Sequence, residues 1–345
     1  MNKFDFLYIT NVPSFYKISL YNEISKSKSI YVIFISKKSA IRSGDFMSKN
    51  INFPHTFIED GEFEGRNKIG VLLNVCKVLI SLKFKKIYFS GWEIIELIPI
   101  LPFVREKKSI IIESSIYESK TTGIIGLVKK AYIQFFDEAL VSGFLQQELV
   151  LKLGFKGRVI FSHGVGIPKL PSFKINKRDV PNNSSLKFLF VGRLAKEKNL
   201  SLLIRAINMS NHNLTIVGDG PLKNELEKEA GNKVQFLGYQ NNSDIHSIYL
   251  KHDALVLPSL SEPWGLVVEE ALSVGLPVVV SQKVGCKVDL VEEFKTGVVF
   301  NDNSLEDLIF ALDELSSDYS FYSNNTRRYK IENRIEKQVL SYVKN

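Results

Sequence analysis

The sequence predicts an α/β protein built from two doubly wound, Rossmann-like domains that face each other across a cleft. The chain has 345 residues, of which 45% are hydrophobic, and this length suits two domains with a core each. Short β-branched runs alternate with longer helix-like stretches, as in parallel sheets covered by helices. A segment rich in Pro, Lys and Asn interrupts this pattern near the middle of the chain, and it predicts a linker.

The predicted elements fall on both sides of this linker. The first domain covers 1–170, with strands at 4–10, 30–36, 87–90, 109–113, 138–142 and 159–162. The linker covers 171–186. The second domain covers 187–322, with strands at 187–191, 214–217, 234–237, 254–258 and 277–281. A helix at about 325–344 forms most of the C-terminal segment 323–345.

Composition limits the compartment and the partners. The two cysteines, Cys76 and Cys286, lie far apart, which favours a reducing cytosol over a disulfide framework. Asp5 interrupts the apolar run at the N-terminus, and this segment is expected to be a first strand, not a signal peptide. No run approaches the ~20 apolar residues of a membrane span. The net charge of +8 suits nucleic acid, an anionic membrane surface, or no partner, because the basic residues are spread along the chain.

The turn after the first strand of the second domain is a candidate diphosphate site. Gly192 allows a sharp turn, and Arg193 and Lys198 follow on the loop and at the start of a helix. A guanidinium and an ammonium can hold phosphate oxygens, and a helix N-terminus adds partial positive charge. An ordinary strand-to-helix turn with solvated basic residues is the alternative.

A second candidate site follows the strand at 254–258. Pro263 suits the first position of a helix. The amides of Gly265, Leu266 and Val267 would then point out of the helix start and form an anion site. Trp264 lies within this segment.

Two carboxylates flank that predicted helix start. Glu262 stands just before it, where it can reach sugar hydroxyls, and Glu270 lies ~7–8 Å farther along the axis. That separation matches the distance between a transferred sugar and the ribose of its nucleotide. The helix dipole alone would explain Glu262, but Glu270 shares a face with apolar residues, where burial is costly.

Glycines mark two further strand ends. Gly218 and Gly220 follow one strand, but the third glycine of a dinucleotide fingerprint is absent, which argues against a nicotinamide enzyme. Gly238 and Tyr239 follow the next strand and either receive a nucleotide base or form a plain turn.

Candidate residues for an acceptor follow strands of the first domain. Trp92, Glu113 and Ser114 come directly after two of them, and His163 follows another near the linker. Two segments, 94–108 and 124–130, are apolar and then basic. Each either packs on its own sheet or rests on an anionic membrane leaflet.

Together these motifs resemble glycosyltransferase family 4. The resemblance covers about 187–300 and rests on five spaced elements in the family's order: Gly192–Arg193 with Lys198, 218–221, 237–238, 262–265 with Glu270, and 275–277. The segment 10–17, with Pro13, looks like the opening of bacterial surface-polysaccharide members. It lacks the paired glycines that many members carry.

The resemblance implies a GT-B fold, a nucleotide-diphosphate sugar donor, retention at the anomeric carbon and no required metal or cofactor. Arg193 and Lys198 match the diphosphate-binding cations, Glu262 the carboxylate near the donor sugar, and Glu270 the one on the ribose. The departing phosphate oxygen can take the acceptor's proton, so no catalytic histidine is expected. The last helix is expected to return to the first domain.

The expected function is transfer of a sugar to a glycan or polyprenyl-diphosphate-linked acceptor in surface polysaccharide and lipopolysaccharide synthesis. The expected place is the cytoplasm, at the inner face of the cytoplasmic membrane, with no nucleic-acid partner. Two alternatives remain, a nucleotide-sugar 2-epimerase and a nucleotide-sugar-binding protein without activity.

Overall fold

The structure, a computed structural model, describes residues 3–41, 44–48, 50–168, 170, 185–241 and 245–344. The chain divides into two compact units. The first contains Met1–Pro168 with Arg334–Asn345, and the second contains Lys169–Asn333. Most of the predicted linker, 171–184, lies outside the described residues.

The first unit is built on a seven-stranded parallel sheet in the order β3-β2-β1-β4-β5-β6-β7. Its strands are β1 Lys3–Thr10, β2 Ile30–Lys38, β3 His55–Glu62, β4 Lys83–Ser90, β5 Lys107–Ile112, β6 Glu138–Val141 and β7 Arg158–Phe161. Its helices are α1 Phe15–Ser25, α2 Lys68–Ser81, α3 Gly123–Ile133 and α4 Phe144–Lys152, with a 3₁₀ segment at Ile95–Phe103.

Both faces of this sheet are covered, because successive strand side chains point to opposite faces. In β1, Leu7 and Ile9 belong to one core cluster, whereas Phe6 and Tyr8 belong to another. The second cluster also contains Tyr342, whose ring centroid lies 5.8 Å from that of Tyr88. The C-terminal helix thus packs on the first sheet.

The second unit is built on a six-stranded parallel sheet in the order β10-β9-β8-β11-β12-β13. Its strands are β8 Lys187–Val191, β9 Asn213–Val217, β10 Val234–Gly238, β11 Ala254–Leu257, β12 Val278–Ser281 and β13 Gly297–Phe300. Its helices are α5 Leu200–Met209, α6 Lys223–Glu229, α7 Ile245–Leu250, α8 Leu266–Ser273, α9 Leu305–Ser317 and α10 Tyr319–Thr326. The C-terminal helix α11, Ile331–Val343, belongs to the first unit from Arg334 onward. The predicted fold class of two Rossmann-like α/β domains is confirmed.

Three elements differ from the sequence-based expectations. The edge strands β3 and β13 were not predicted. The last helix was expected to begin at about 325, but α10 ends at Thr326 and the last helix, α11, spans Ile331–Val343. The Asn325 amide donates to the Lys295 carbonyl (3.0 Å) and the Thr326 hydroxyl to the Gly275 carbonyl (3.1 Å). These two hydrogen bonds attach Asn325 and Thr326 to turns of the second unit, and this attachment interrupts the helix that was expected there. In the described part of the chain, no helix has the length and apolarity of a membrane span.

Candidate active site

The carboxyl ends of β8, β9 and β10 are joined backbone to backbone by glycine turns. The Gly192 amide donates to the Val217 carbonyl (3.0 Å), and the Gly218 amide donates to the Gly238 carbonyl (2.9 Å). Gly218 has φ +139°, and a Cβ there would lie 1.8 Å from the Gly192 carbonyl oxygen. A Cβ on Gly220 would lie 2.4 Å from the Leu194 carbonyl oxygen. Only glycine lets these turns approach so closely, which leaves backbone, not side chains, at this edge of the sheet.

The loop after β8 carries the two predicted cations. Arg193 is exposed, and Lys198 ends a short 3₁₀ turn at Lys196–Lys198. Asn199 then adopts a left-handed conformation with φ +55° before α5 begins at Leu200. Its side-chain amide donates to the Asp302 carbonyl at 3.0 Å. Lys198 therefore lies just before the helix, not in its first turn.

Lys198 and Glu262 form an ion pair between residues 64 positions apart in the chain. Both side chains are mostly buried. The Ser259 hydroxyl also lies 3.5 Å from Glu262 Oε2. The sequence nominated both residues but did not predict that they meet. The pair places one cation and one carboxylate side by side at the carboxyl edge of the sheet.

The segment at Glu262 is held by the turn after β12. Glu262 forms a parallel bridge with Val284, and its carbonyl accepts from the Gly285 amide at 2.9 Å. Helix α8 begins only at Leu266, after Gly265 at φ +104°. The expectation that Pro263 starts the helix is therefore wrong. The bridge between Glu262 and Val284 holds the chain extended before the helix. A left-handed turn at Gly265 then separates this bridge from α8.

The helix start nevertheless keeps the predicted amides together. Leu266 and Val267 occupy the first two positions of α8, where helix amides have no acceptor within the helix. The Trp264 side chain is buried, and its carbonyl accepts from the Cys286 amide at 2.9 Å. Trp264 thus anchors the loop by packing, while the amides that follow stay at the helix end.

Glu270 is buried in α8 and accepts a hydrogen bond from the Tyr249 hydroxyl at 2.9 Å. Burial first, and the carboxylate second, raise the pKa of Tyr249 well above its usual value. The phenol therefore stays protonated and acts as a donor. Sequence analysis missed Tyr249. Its only signal was a tyrosine among apolar residues of α7, which is typical of a core position.

The predicted acceptor-side residues all lie beyond strand ends of the first sheet. Pro13 follows β1 and is buried, and Trp92 follows β4 with its ring centroid 4.8 Å from Lys129 Nζ. Ser114 follows β5 and is half-buried. His163 follows β7 at φ +58°. Burial, and then the charges of nearby basic residues of α11, lower its pKa.

Glu113 forms an ion pair with Lys17 at 2.9 Å. Burial lowers the pKa of Lys17, but the Glu113 carboxylate outweighs it and the pKa rises above its usual value. A second contact joins the segments that follow β1 and β4, where the side-chain amide of Asn11 donates to Glu93 Oε2 at 2.7 Å. Neither Lys17 nor Asn11 was nominated from sequence, since each gains its partner only when strand ends meet.

Within the described residues no group of three or more His, Cys, Asp or Glu side chains could hold a metal ion. Charged groups at the carboxyl edge of the second sheet include Arg193, Lys198, Glu262 and Glu270. Cations beside a helix start and carboxylates beside them suit a phosphate-bearing ligand with hydroxyl groups.

Comparison with known proteins supports this chemistry. Residues 172–337 match the family model described as "Glycosyl transferases group 1". The matched residues lie almost entirely in the second unit, which is thus similar to the group 1 glycosyl transferases. The glycosyltransferase relationship predicted from sequence is confirmed, and assignment to family 4 stays a prediction.

Several relatives are glycosyltransferases. An uncharacterized glycosyltransferase of Methanocaldococcus jannaschii is 28% identical over 205 residues, which are 57% of this chain and 47% of that protein. The UDP-Gal:alpha-D-GlcNAc-diphosphoundecaprenol alpha-1,3-galactosyltransferase of Escherichia coli is 30% identical over 210 residues, 53% of each chain. The chain thus spans about half the length of these relatives.

A solved lipopolysaccharide outer core galactosyltransferase, in its apo form, has the same fold. Its TM-score is 0.74 over 99% of both chains, with 14% sequence identity. The match extends over both units of the chain. At this identity it is evidence for the fold.

Proposed function

We propose that this glycosyltransferase is a retaining, metal-independent enzyme that uses a nucleotide-diphosphate sugar. Its acceptor would be a glycan or a polyprenyl-diphosphate-linked oligosaccharide in surface polysaccharide and lipopolysaccharide synthesis. The observation that carries the proposal is the Lys198–Glu262 ion pair beside the glycine turns of the second sheet. Ligands of open parallel sheets bind at this edge.

The diphosphate would bind to Arg193, Lys198 and the first amides of α8. Lys198 is held by Glu262, so the ammonium is already positioned when a diphosphate arrives. At ~4 Å and an effective dielectric of 20, one opposite charge contributes at most about 4 kcal/mol. When Lys198 turns to the phosphate, Glu262 gains capacity to accept hydrogen bonds from sugar hydroxyls.

The ribose would bind near Glu270. Its carboxylate has two oxygens that accept several hydrogen bonds, and Tyr249 donates one of them. Tyr249 fixes the orientation of the carboxylate, which leaves less side-chain freedom to lose when ribose hydroxyls bind. The backbone at Gly218, Gly220 and Gly238 would pass close to the nucleotide, with Tyr239 exposed beside it.

Transfer would proceed by departure of the nucleoside diphosphate. The bond between the anomeric carbon and the phosphate oxygen breaks, and the negative charge that develops is stabilised by the two cations and the helix amides. The acceptor hydroxyl attacks from the face that the diphosphate leaves, which retains the configuration. Its proton passes to the departing phosphate oxygen, so the step needs no protein base.

The acceptor class rests on the E. coli relative, whose name specifies a diphosphoundecaprenol-linked acceptor. Residues beyond the strands of the first sheet, chiefly Glu113 and Trp92, would contact the acceptor. A lipid-linked acceptor implies peripheral contact with the inner face of the cytoplasmic membrane. The two distant cysteines suit the reducing cytoplasm.

A thermal-shift screen of UDP-, GDP-, ADP- and dTDP-sugars tests the donor. A true donor at 100 times its Kd stabilises the fold by about 2.7 kcal/mol. The stabilising donor is then incubated with the matching undecaprenyl-diphosphate-GlcNAc acceptor, and NMR of the product reports the anomeric configuration. If no nucleotide sugar raises the Tm, the donor assignment fails. An inverted product would refute retention.

A further inference from the structure

Helix α2 exposes an apolar stripe. Ile69, Leu73 and Ile80 are 71%, 56% and 78% exposed, whereas Val71 and Val75 are buried. The exposed positions are spaced by four and seven residues, so they lie on one side of the helix. Helices that cover a sheet normally present polar side chains to water. The outer side of α2 therefore suits a partner that buries apolar groups.

Helix α3 has the same property. Ile124, Leu127 and Val128 are 81%, 65% and 53% exposed, while Tyr132 and Ile133 are buried. Both α2 and α3 therefore expose several apolar side chains on their outer side. Single exposed apolar residues are common on protein surfaces, but this group is larger than that.

The two helices belong to one layer on one face of the first sheet. Val75 of α2 and Ile133 of α3 lie in the same core cluster, together with Leu97 of the 3₁₀ segment. Ile94, Leu97, Ile100 and Leu101 are buried, which favours the alternative that this part of 94–108 packs on its own sheet. Its exposed large apolar side chains, Ile95 and Phe103, add to the outer side of the layer.

The charge of this layer points to an anionic partner. Helix α2 contains Lys68 and Lys77, α3 contains Lys129 and Lys130, and neither helix contains an acidic residue. In the 3₁₀ segment, the one carboxylate, Glu96, is neutralised by a buried ion pair with Arg66. A second copy of the same face would bring like charges together, whereas anionic lipids would match them.

We propose that the outer side of α2, Ile95–Phe103 and α3 docks on an anionic lipid bilayer. The apolar side chains would enter the boundary between headgroups and acyl chains, and the lysines would lie among anionic headgroups. This deepens the proposed function, since it names the surface that brings the first unit to a lipid-linked acceptor. It depends on the surface alone, so it can be tested without donor or acceptor.

Sedimentation with sucrose-loaded vesicles tests the docking. Wild-type protein is expected to bind phosphatidylcholine vesicles containing 30% phosphatidylglycerol at least tenfold more tightly than pure phosphatidylcholine vesicles. The triple variant I124S/L127S/V128S is expected to lose at least tenfold in affinity for the anionic vesicles. The matched control is Phe310→Ser, which removes an equally exposed apolar residue of the second unit and should bind as wild type does.

The charge contribution is tested with K77E/K130E, which should abolish the preference for anionic vesicles. Folding of each variant is checked by its Tm, and L73S/I80S on α2 replaces the triple variant if that one does not fold. Wild-type protein that binds neither vesicle overturns the proposal, and so does a triple variant that binds normally. A wild-type dimer that the triple variant dissociates, without vesicle binding, assigns the face to a second copy instead. If a nucleotide sugar still raises the Tm of the variants, their loss of vesicle binding is independent of the donor site.

Discussion

The carboxyl edges of the two sheets are built differently. At the edge of the second sheet, glycine turns bring backbones together, and Lys198 and Glu262 lie on the loops that follow β8 and β11. At the edge of the first sheet, a side-chain pair between α1 and the end of β5, Lys17 and Glu113, replaces the glycines. Backbone geometry demands particular residues at particular spacings, whereas side-chain packing can be achieved in many ways. The proposed donor edge is therefore visible in the sequence and the proposed acceptor edge is not.

The largest expected effect tests whether the edge of the second sheet is catalytic. Lys198→Ala should lower transfer by about 10²–10³-fold, the loss typical of one removed charge-stabilising group, while the protein stays folded. Steady-state transfer rates and the Tm measure the two quantities. Lys196→Ala removes an exposed lysine of the same turn and should keep near wild-type activity. Wild-type turnover in Lys198→Ala would refute the diphosphate assignment.

The next effect tests whether glycine geometry shapes that edge. Gly218→Ala should lower the free energy of unfolding by about 3 kcal/mol, because the added methyl overlaps the Gly192 carbonyl at a strained φ. Gly65→Ala in the first unit is the control, since an added Cβ at Gly65 would meet no atom within 4 Å. Urea unfolding of both variants makes the comparison. Equal stability of the two would show that the second edge tolerates side chains as well.

A smaller effect tests the role of the pair at the edge of the first sheet. Lys17→Met should lower the free energy of unfolding by about 2 kcal/mol, less than for a fully buried pair because Glu113 is partly exposed. The pKa of Lys17 is raised in the folded state. Its contribution is therefore present below the ordinary lysine pKa of about 10.4 and constant from pH 6 to 9.

Chemical unfolding of Lys17→Met at pH 6, 7.5 and 9 checks both statements. The double variant with Glu113→Gln is the matched control, because it removes the unpaired charge and should recover part of the loss. A single variant as stable as wild type would mean that the pair does not hold this edge together.

The smallest effect concerns pH and the second unit. His212 Nδ1 accepts from the Leu186 amide (3.2 Å), and Nε2 lies 3.1 Å from Asp313 Oδ1. Burial lowers the pKa of His212 more than Asp313 raises it. The unfolded state therefore binds more protons, so stability is lost as pH falls below the ordinary histidine value of about 6.5.

In His212→Gln, the difference in unfolding free energy between pH 7.5 and 5.5 should shrink by less than about 1 kcal/mol. Urea titrations at the two pH values measure it. An unchanged difference would show that His212 is protonated equally in both states.

The two strands that sequence analysis missed, β3 and β13, lie at sheet edges, whereas it found the central strands and the edge strands β7 and β10. The central strands carry continuous apolar runs, and their pattern is readable because both faces are covered. Strand β3 lies at a sheet edge, contains Glu59, Asp60 and Glu62, and is largely exposed. Strand β13 is a four-residue edge strand. Edge strands are stabilised by pairing with a neighbour, and that partner is not recorded in their own residues.

The candidate site divides in the same way. Arg193, Lys198, Glu262 and Glu270 stand next to glycines or strand ends, so spacing identified them. Their partners were not identified: Lys198 meets Glu262 across 64 residues, and Tyr249 meets Glu270 across 21. The start of α8 was predicted at Pro263 but lies at Leu266. The reason is the bridge to Val284, which depends on a turn that comes later in the chain.

The sequence by itself determined the two α/β domains, the glycine turns and the charged residues of the proposed donor edge, since periodicity and backbone conformation are local properties. Tertiary structure alone decided which charges pair, where α8 begins, and which apolar segment is core. Leu97 and Leu127 show the last point. They belong to similar segments that are apolar and then basic, but Leu97 is buried in the core and Leu127 is exposed. Burial depends on what the rest of the chain packs against each segment, and that information is not contained within the segment.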